Sequence, residues 1–311
     1  MQGKYIYRKT TPIDDQKVLK LFNDSFKREL KSEWWNWFSY KCPTGNNRTY
    51  IVEDEKKNFA ASYSLLPINL LVNGNMTKAS LCTNVCTHPE YRGFGLFTDI
   101  GKYALSHEKE YDTQISLGMP NKNAYPGHKK VGWEILFKLP FLVKTNCNKL
   151  NNNCNEVKQF DYTFDTFYKK IENNFSFIIH KDYKFINWRV SDRPFIQYNK
   201  YEYRENNDLK GYIILKNFND NGYKKSHILD IHAENKDALE ELISVAVTYA
   251  DKSNELNLYS NPKNPYIKEF KKHGFFERES DDFLIIHFNY GEKKIIDKGN
   301  WWFCLADNDV Y

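Results

Sequence analysis

The sequence predicts an α/β chain of the α+β kind: two domains, each a mixed, mostly antiparallel sheet flanked by helices. Three observations carry that expectation. Strand-like and helix-like periodicities alternate from the first residues onward. A polar, asparagine-rich stretch at 146–155 then interrupts them. Beyond it a similar order of elements returns. We therefore expect a first domain at 1–145, a linker at 146–157 and a second domain at 158–311.

In the first half, 4–8 alternates as a short strand, and 10–14 is a turn and cap. Val18, Leu19, Phe22 and Phe26 recur at helical spacing. Trp34, Trp35, Trp37 and Phe38 form an aromatic cluster suited to core packing, or to stacking on a flat ligand. Loop-like residues at 42–47 lead to three strands at 49–53, 59–71 and 77–87, separated by the turn signals DEKKN and NGN. A glycine-bearing loop at 89–95 opens a helix whose inner face carries Leu96, Ile100, Tyr103 and Ala104. A strand at 114–118, a short helix at 121–131 and a strand region at 134–143 complete the half.

In the second half, 210–218 and 225–232 read as paired strands. Asn235 caps a helix with Leu239, Leu242, Ile243, Ala246 and Tyr249 on one side. A strand at 256–259, a short helix at 264–273 and a strand at 283–288 follow. PNKNAYPGHKKVGW (120–133) and NPKNPYIKEFKKHGF (261–275) share a strand exit, an Asn/Pro cap, a Tyr, a Lys-Lys pair and a Gly-aromatic end. Together with the recurring order of elements, this reads as an internal duplication.

Composition narrows the function classes. Hydrophobic residues at 41% and charged residues at 27% are those of a globular chain rather than a disordered one. The net charge of +5 is spread without a dense basic block, so nucleic acid is not an expected partner. The six cysteines form no CxxC pair and read as thiols in a reducing compartment. Cys82, Cys86 and His88 lack a second ligand pair of matching spacing, so no metal is expected. With neither a signal-like N-terminus nor an apolar run long enough to span a bilayer, the expected location is cytoplasmic.

The stretch VCTHPEYRGFGLF, 85–97, carries the chemistry. A strand ends at Thr87, a proline breaks it, and Arg-Gly-Phe-Gly opens a helix. Unpaired N–H groups and the helix dipole make such a corner an anion site, and Gly93 and Gly95 let the chain curl round a ligand. Arg92 adds a charged donor. The Gly-Lys-Ser/Thr ending of a Walker loop is absent, and Gly93 and Gly95 alone do not make a dinucleotide fingerprint.

Taken together, 85–97 and NKNAYPGHKKVGW resemble the GCN5-related N-acetyltransferase (GNAT) family, in a tandem-domain form. That family's diphosphate loop reads Gln/Arg-x-x-Gly-x-Gly/Ala. Arg92 and Gly95 match it, and Phe97 replaces the final small residue. Its second signature, Asn-x-x-Ala, then an aromatic acid, then Gly-Phe, is met by Asn121, Ala124, His128, Gly132 and Trp133.

The resemblance implies an acetyl-CoA-dependent N-acetyltransferase acting on a primary amine. The strand with Val85, Cys86 and Thr87 would splay from 114–118 to admit the pantetheine arm, with Asn121 facing it. Main-chain amides at Arg92, Gly93, Phe94, Gly95, Leu96 and Phe97 would hold the diphosphate. His128, where relatives often place a Tyr near the coenzyme sulfur, or Tyr125 would protonate the leaving thiolate. By analogy with relatives whose C-terminus enters the active site, Asp307, Asp309 or a terminal carboxylate on Tyr311 would be the base.

The arrangement and the LADNDV ending look like enzymes of surface-polysaccharide synthesis, which makes an amino sugar the preferred acceptor. In the second half the matching loop, 232–237, has no glycine and sets Glu234 and Asp237 where phosphates would lie, so that copy reads as degenerate. Two other classes fit less well: a non-catalytic acyl-CoA sensor, and a tRNA-dependent aminoacyl transferase of cell-wall synthesis.

Overall fold

The computed structural model describes residues 5–291 and 300–308. In chain order its elements are β1 (Ile6–Lys9), α1 (Asp15–Phe26), α2 (Ser32–Tyr40), β2 (Arg48–Glu53), β3 (Phe59–Val72), β4 (Asn75–Thr87), α3 (Leu96–Ser106), β5 (Ile115–Gly118), α4 (Tyr125–Val131), β6 (Glu134–Lys138), β7 (Phe141–Lys144) and β8 (Asn155–Val157). They continue as α5 (Thr163–Glu172), β9 (Phe177–Ile179), α6 (Tyr183–Val190), β10 (Asn199–Glu205), β11 (Asp208–Asp220), β12 (Tyr223–Ala233), α7 (Lys236–Tyr249), β13 (Glu255–Tyr259), α8 (Ile267–Lys272), β14 (Phe276–Arg278), β15 (Phe283–Phe288) and β16 (Trp301–Trp302).

Two compact units result. One comprises Met1–Leu70, Met76–Phe137 and Asp282–Ile295; the other comprises Leu71–Asn75, Lys138–Asp281 and Ile296–Tyr311. The first sheet runs β6-β15-β5-β4-β3-β2-β1 and the second β14-β7-β13-β12-β11-β10-β8. The two orders correspond strand for strand. Along each of these paths one parallel pair, β4 with β5 and β12 with β13, sits among antiparallel neighbours; β9 and β16 pair in parallel off the first path. The two paths thus share one topology, with one strand exchanged. β15 lies far along the chain yet pairs with β5, while β7, from the first half, pairs with β13.

The strand region expected at 134–143 is two strands, β6 and β7, which enter different sheets. β6 ends at Lys138, and Pro140 has no N–H with which to continue a ladder. The expected linker at 146–157 is also structured. The Leu150 N–H donates to Thr248 Oγ1 at 2.9 Å, Asn153 binds the Glu241 carboxylate through both its N–H and its Nδ2, and Asn155–Val157 pairs with β10. Its asparagines serve as local hydrogen-bonding groups rather than as a flexible spacer.

The first unit's core lies between its sheet and α3–α4: Tyr50, Val52, Tyr63 and Leu65 pack on Leu96, Ile100, Ala104, Val131 and Trp133. The Trp34–Phe38 cluster forms α2, whose Trp34, Trp35 and Phe38 rings pack with one another and with Phe22 of α1. Packing, not an exposed stacking face, is their role.

Candidate acyl-donor cleft

β4 and β5 pair only over Ala79↔Ile115 to Cys82↔Gly118, and β4 then runs on to Thr87. Asn84 sits at φ 47°, a left-handed kink just beyond the last pair. The strands part there, and a cleft of about 660 Å³ opens in the first unit, within the size range of small-molecule sites.

The loop that closes the far end of the cleft is set by local rules. A one-turn 3-10 helix, Pro89–Tyr91, follows the strand break, and Gly93 and Gly95 take φ 87° and φ 81°. Gly95 occupies the N-cap of α3 with no side chain to cap it. Among the described residues, the N–H groups of 93–97 donate to nothing in the protein. Five main-chain donors at a helix start are thus unpaired with the dipole behind them, as an anion site requires, and four of their residues, Gly93, Gly95, Leu96 and Phe97, line the cleft. Arg92 is anchored through Nε on the Thr87 carbonyl at 3.3 Å, and its exposed guanidinium stands beside them. Lys130 is the second cation on the wall, and no carboxylate among the described residues lines it.

Of the residues picked from the sequence, Val85, Cys86, Thr87, Arg92, Gly93, Gly95, Leu96, Phe97 and Asn121 line this one cleft. Asn121 also shapes it: its Oδ1 accepts from the N–H groups of Asn123 and Ala124, fixing the entry to α4. Phe94 does not line the cleft and is 61% exposed.

Neither candidate acid lies on the wall. His128 is 4% exposed, with Nδ1 3.2 Å from the Tyr63 hydroxyl and the Phe97 ring edge-on at 5.0 Å. Burial lowers its pKa to about 4, so the imidazole is neutral at physiological pH. Tyr125 packs edge-on against Phe283. Asp309 and Tyr311 lie outside the described residues. Asp307 is described and is no free base: it is buried in the second unit, 3.0 Å from Lys181 Nζ, and accepts the Cys304 N–H.

Ser25, Phe26, Gly127 and Lys130 also line the cleft and were not picked out from the sequence. Ala124, Gly127 and Lys130 recur every third residue, one face of α4; that spacing was the available signal.

The second unit has the same strand parting. β12 and β13 pair only over Lys225↔Glu255 to His227↔Asn257, and β12 continues to Ala233. Residues of the chain's own tail lie at this parting. Phe303 exchanges two 2.8 Å hydrogen bonds with the Asn261 side chain, through its N–H and its carbonyl. Trp302 packs on His232 and Tyr266, and the Ala233 N–H donates to the Tyr266 hydroxyl at 3.3 Å. Glu234, on the glycine-free loop, is held by Lys170 and Lys210.

Residues 6–136 match the family model described as an acetyltransferase (GNAT) domain. No curated protein matches the chain. Similar solved structures include a GCN5-related N-acetyltransferase from Anabaena variabilis, at 14% identity and TM-score 0.74, covering 92% of this chain and 73% of that one. A conserved protein from Enterococcus faecalis described as a probable N-acyltransferase has 13% identity and TM-score 0.73, with the same coverages. Saccharomyces cerevisiae N-myristoyltransferase with bound myristoyl-CoA has 13% identity and TM-score 0.65, covering 94% of this chain and 80% of that one. Residues 6–136 thus match the model of a GNAT acetyltransferase domain, and the chain as a whole shares the fold of these solved structures.

Proposed function

We propose that the chain transfers an acyl group, acetyl in the first place, from acyl-CoA to a primary amine, with the donor held in the first unit. The observation that supports this most is the joining of a parted β4–β5 pair to a run of unpaired amides at 93–97. A diphosphate on those amides lets an extended pantetheine arm lie along 85–87 and offer its thioester toward Cys82 and Gly118.

The reaction asks for few protein groups. A neutral amine attacks the thioester carbonyl, a main-chain N–H near Val85 stabilises the oxyanion, and the departing thiolate takes a proton. Holding both reactants in register supplies much of the acceleration. A neutral His128 behind Phe97 is poorly placed to supply that proton, so Tyr125 is the acid we favour. Tyr125→Phe then lowers turnover while His128→Phe does not; the reverse result returns the role to His128.

An amino sugar is our preferred acceptor. In support, the Thr87 hydroxyl on the cleft wall and the Thr83 hydroxyl on the same strand are buried without a hydrogen-bond partner among the described residues. Hydroxyls left unpaired in this way favour a polar, neutral partner over an apolar one. The second unit, with the tail at its own parting, is assigned no donor site. The test is free thiol released from acetyl-CoA across amino sugars, polyamines, aminoglycosides and peptides. Coenzyme binding without thiol release from any amine would favour a sensor instead.

A further inference from the structure

Phe97 stands where the GNAT loop pattern has Gly or Ala, and the structure makes room for it in a specific way. A Cβ built on Gly127 of α4 falls 2.5 and 2.6 Å from two carbons of the Phe97 ring, closer than any real side chain allows. The ring is therefore seated in the gap that Gly127 leaves. From the cleft wall it reaches down to His128, at 5.0 Å between ring centroids, and to Tyr63, at 6.5 Å, both edge-on. Tyr63 is fully buried in the core cluster against which Cys82 packs, and Cys82 pairs with Gly118 at the last rung before β4 and β5 part. The ring thus extends from the phosphate corner along the cleft floor toward that last rung, where the acyl end of a donor arrives if its diphosphate lies on 93–97. Beneath it are the aromatic side chains of Tyr63, His128 and, at 5.6 Å from His128, Trp133.

We infer that Phe97 is the acyl-length determinant of this cleft: seated over Gly127, it closes an apolar channel and restricts the donor to short acyl thioesters. The inference rests on the proposal that the first unit binds acyl-CoA, and it assigns that donor's class by chain length. Removing the ring would open a space that is continuous with the cleft, has an aromatic floor, and can take methylene groups.

The test measures dissociation constants of coenzyme A, acetyl-CoA, hexanoyl-CoA and octanoyl-CoA on the full chain and on Phe97→Ala and Phe97→Leu. Thermal melts check that each variant is folded. Each methylene taken from water contributes about fourfold in affinity. The hexanoyl- to acetyl-CoA affinity ratio is thus expected to rise about tenfold or more in Phe97→Ala and by a smaller factor in Phe97→Leu. The unaltered chain should prefer acetyl-CoA to octanoyl-CoA. The inference is overturned if the unaltered chain binds octanoyl-CoA as tightly as acetyl-CoA, or if both variants bind coenzyme A with an unchanged chain-length profile. If coenzyme A itself does not bind the unaltered chain, the donor reading fails first, and the two failures are told apart.

Discussion

Gly95 holds φ 81° at the N-cap of α3, among the amides that would grip a diphosphate. A side chain there strains that left-handed conformation by roughly 1–2 kcal/mol or turns the amides away. Gly95→Ala is expected to weaken coenzyme A binding about tenfold, read by calorimetric titration, with the melting temperature lowered by only the few degrees that this strain implies. A melt that falls while affinity holds would make Gly95 structural only. Arg92 was legible for the same reason: charge next to glycine at a strand exit has a chemical meaning in sequence. His128 was not. Its motif position suggested a group at the sulfur, but whether it faces the cleft depends on Phe97 and Gly127, from two different elements, and neither spacing nor composition encodes that contact.

At the scale of elements, α3 and α4 interlock through two small residues. Gly127 receives Phe97, and Gly101 receives Val131, whose Cγ2 lies 2.7 Å from where a Gly101 Cβ would stand. This close approach sets the width of the groove between the helices. Gly101→Ala overpacks it, and a loss of about 1–3 kcal/mol is expected from chemical denaturation, followed by the fluorescence of buried Trp133. Stability equal to the parent would mean that α4 can shift freely.

Helices with a cap and an apolar stripe could be read from sequence, as α7 was: Asn235 accepts the Ala238 N–H, and Leu239, Leu242, Ile243 and Ala246 are buried. Helices α5 and α6 were not picked out, nor was β10. The strand exchange was hidden because partners such as Ile286 and Leu117 are far apart in sequence, and period-two patterns name no partner.

At the scale of the molecule, buried charge ties distant parts of the chain together. Lys181 is 1% exposed, with Nζ 2.8 Å from Asp230 of β12 and 3.0 Å from Asp307 of the tail. Burial works to lower its pKa, but the two carboxylates outweigh it and keep the ammonium charged; the ammonium in turn holds Asp230 at about 2 against its own burial. The Tyr212 hydroxyl, at 2.7 Å, and the Cys304 N–H, at 2.9 Å, complete the carboxylates' shells.

Buried histidines add a pH dependence. His128, His227 and His232 are each lowered to about 4 by burial, against about 6.5 in an unfolded chain. Between those values the unfolded state holds more protons, so stability is full above about pH 6.5 and falls as pH drops toward 4. Melting temperatures across pH 7 to 4.5 should decline steadily, and a flat profile would show that these imidazoles are accessible.

The ion trio supplies the sharper test. Lys181→Met leaves two carboxylates buried without their cation, a loss of about 3–5 kcal/mol. Adding Asp230→Asn and Asp307→Asn removes the stranded charge, and most of that loss should return. If Lys181→Met costs less than about 1 kcal/mol, water reaches the cluster. The tail would then be held by the packing of Trp301, Trp302 and Phe303 rather than by charge.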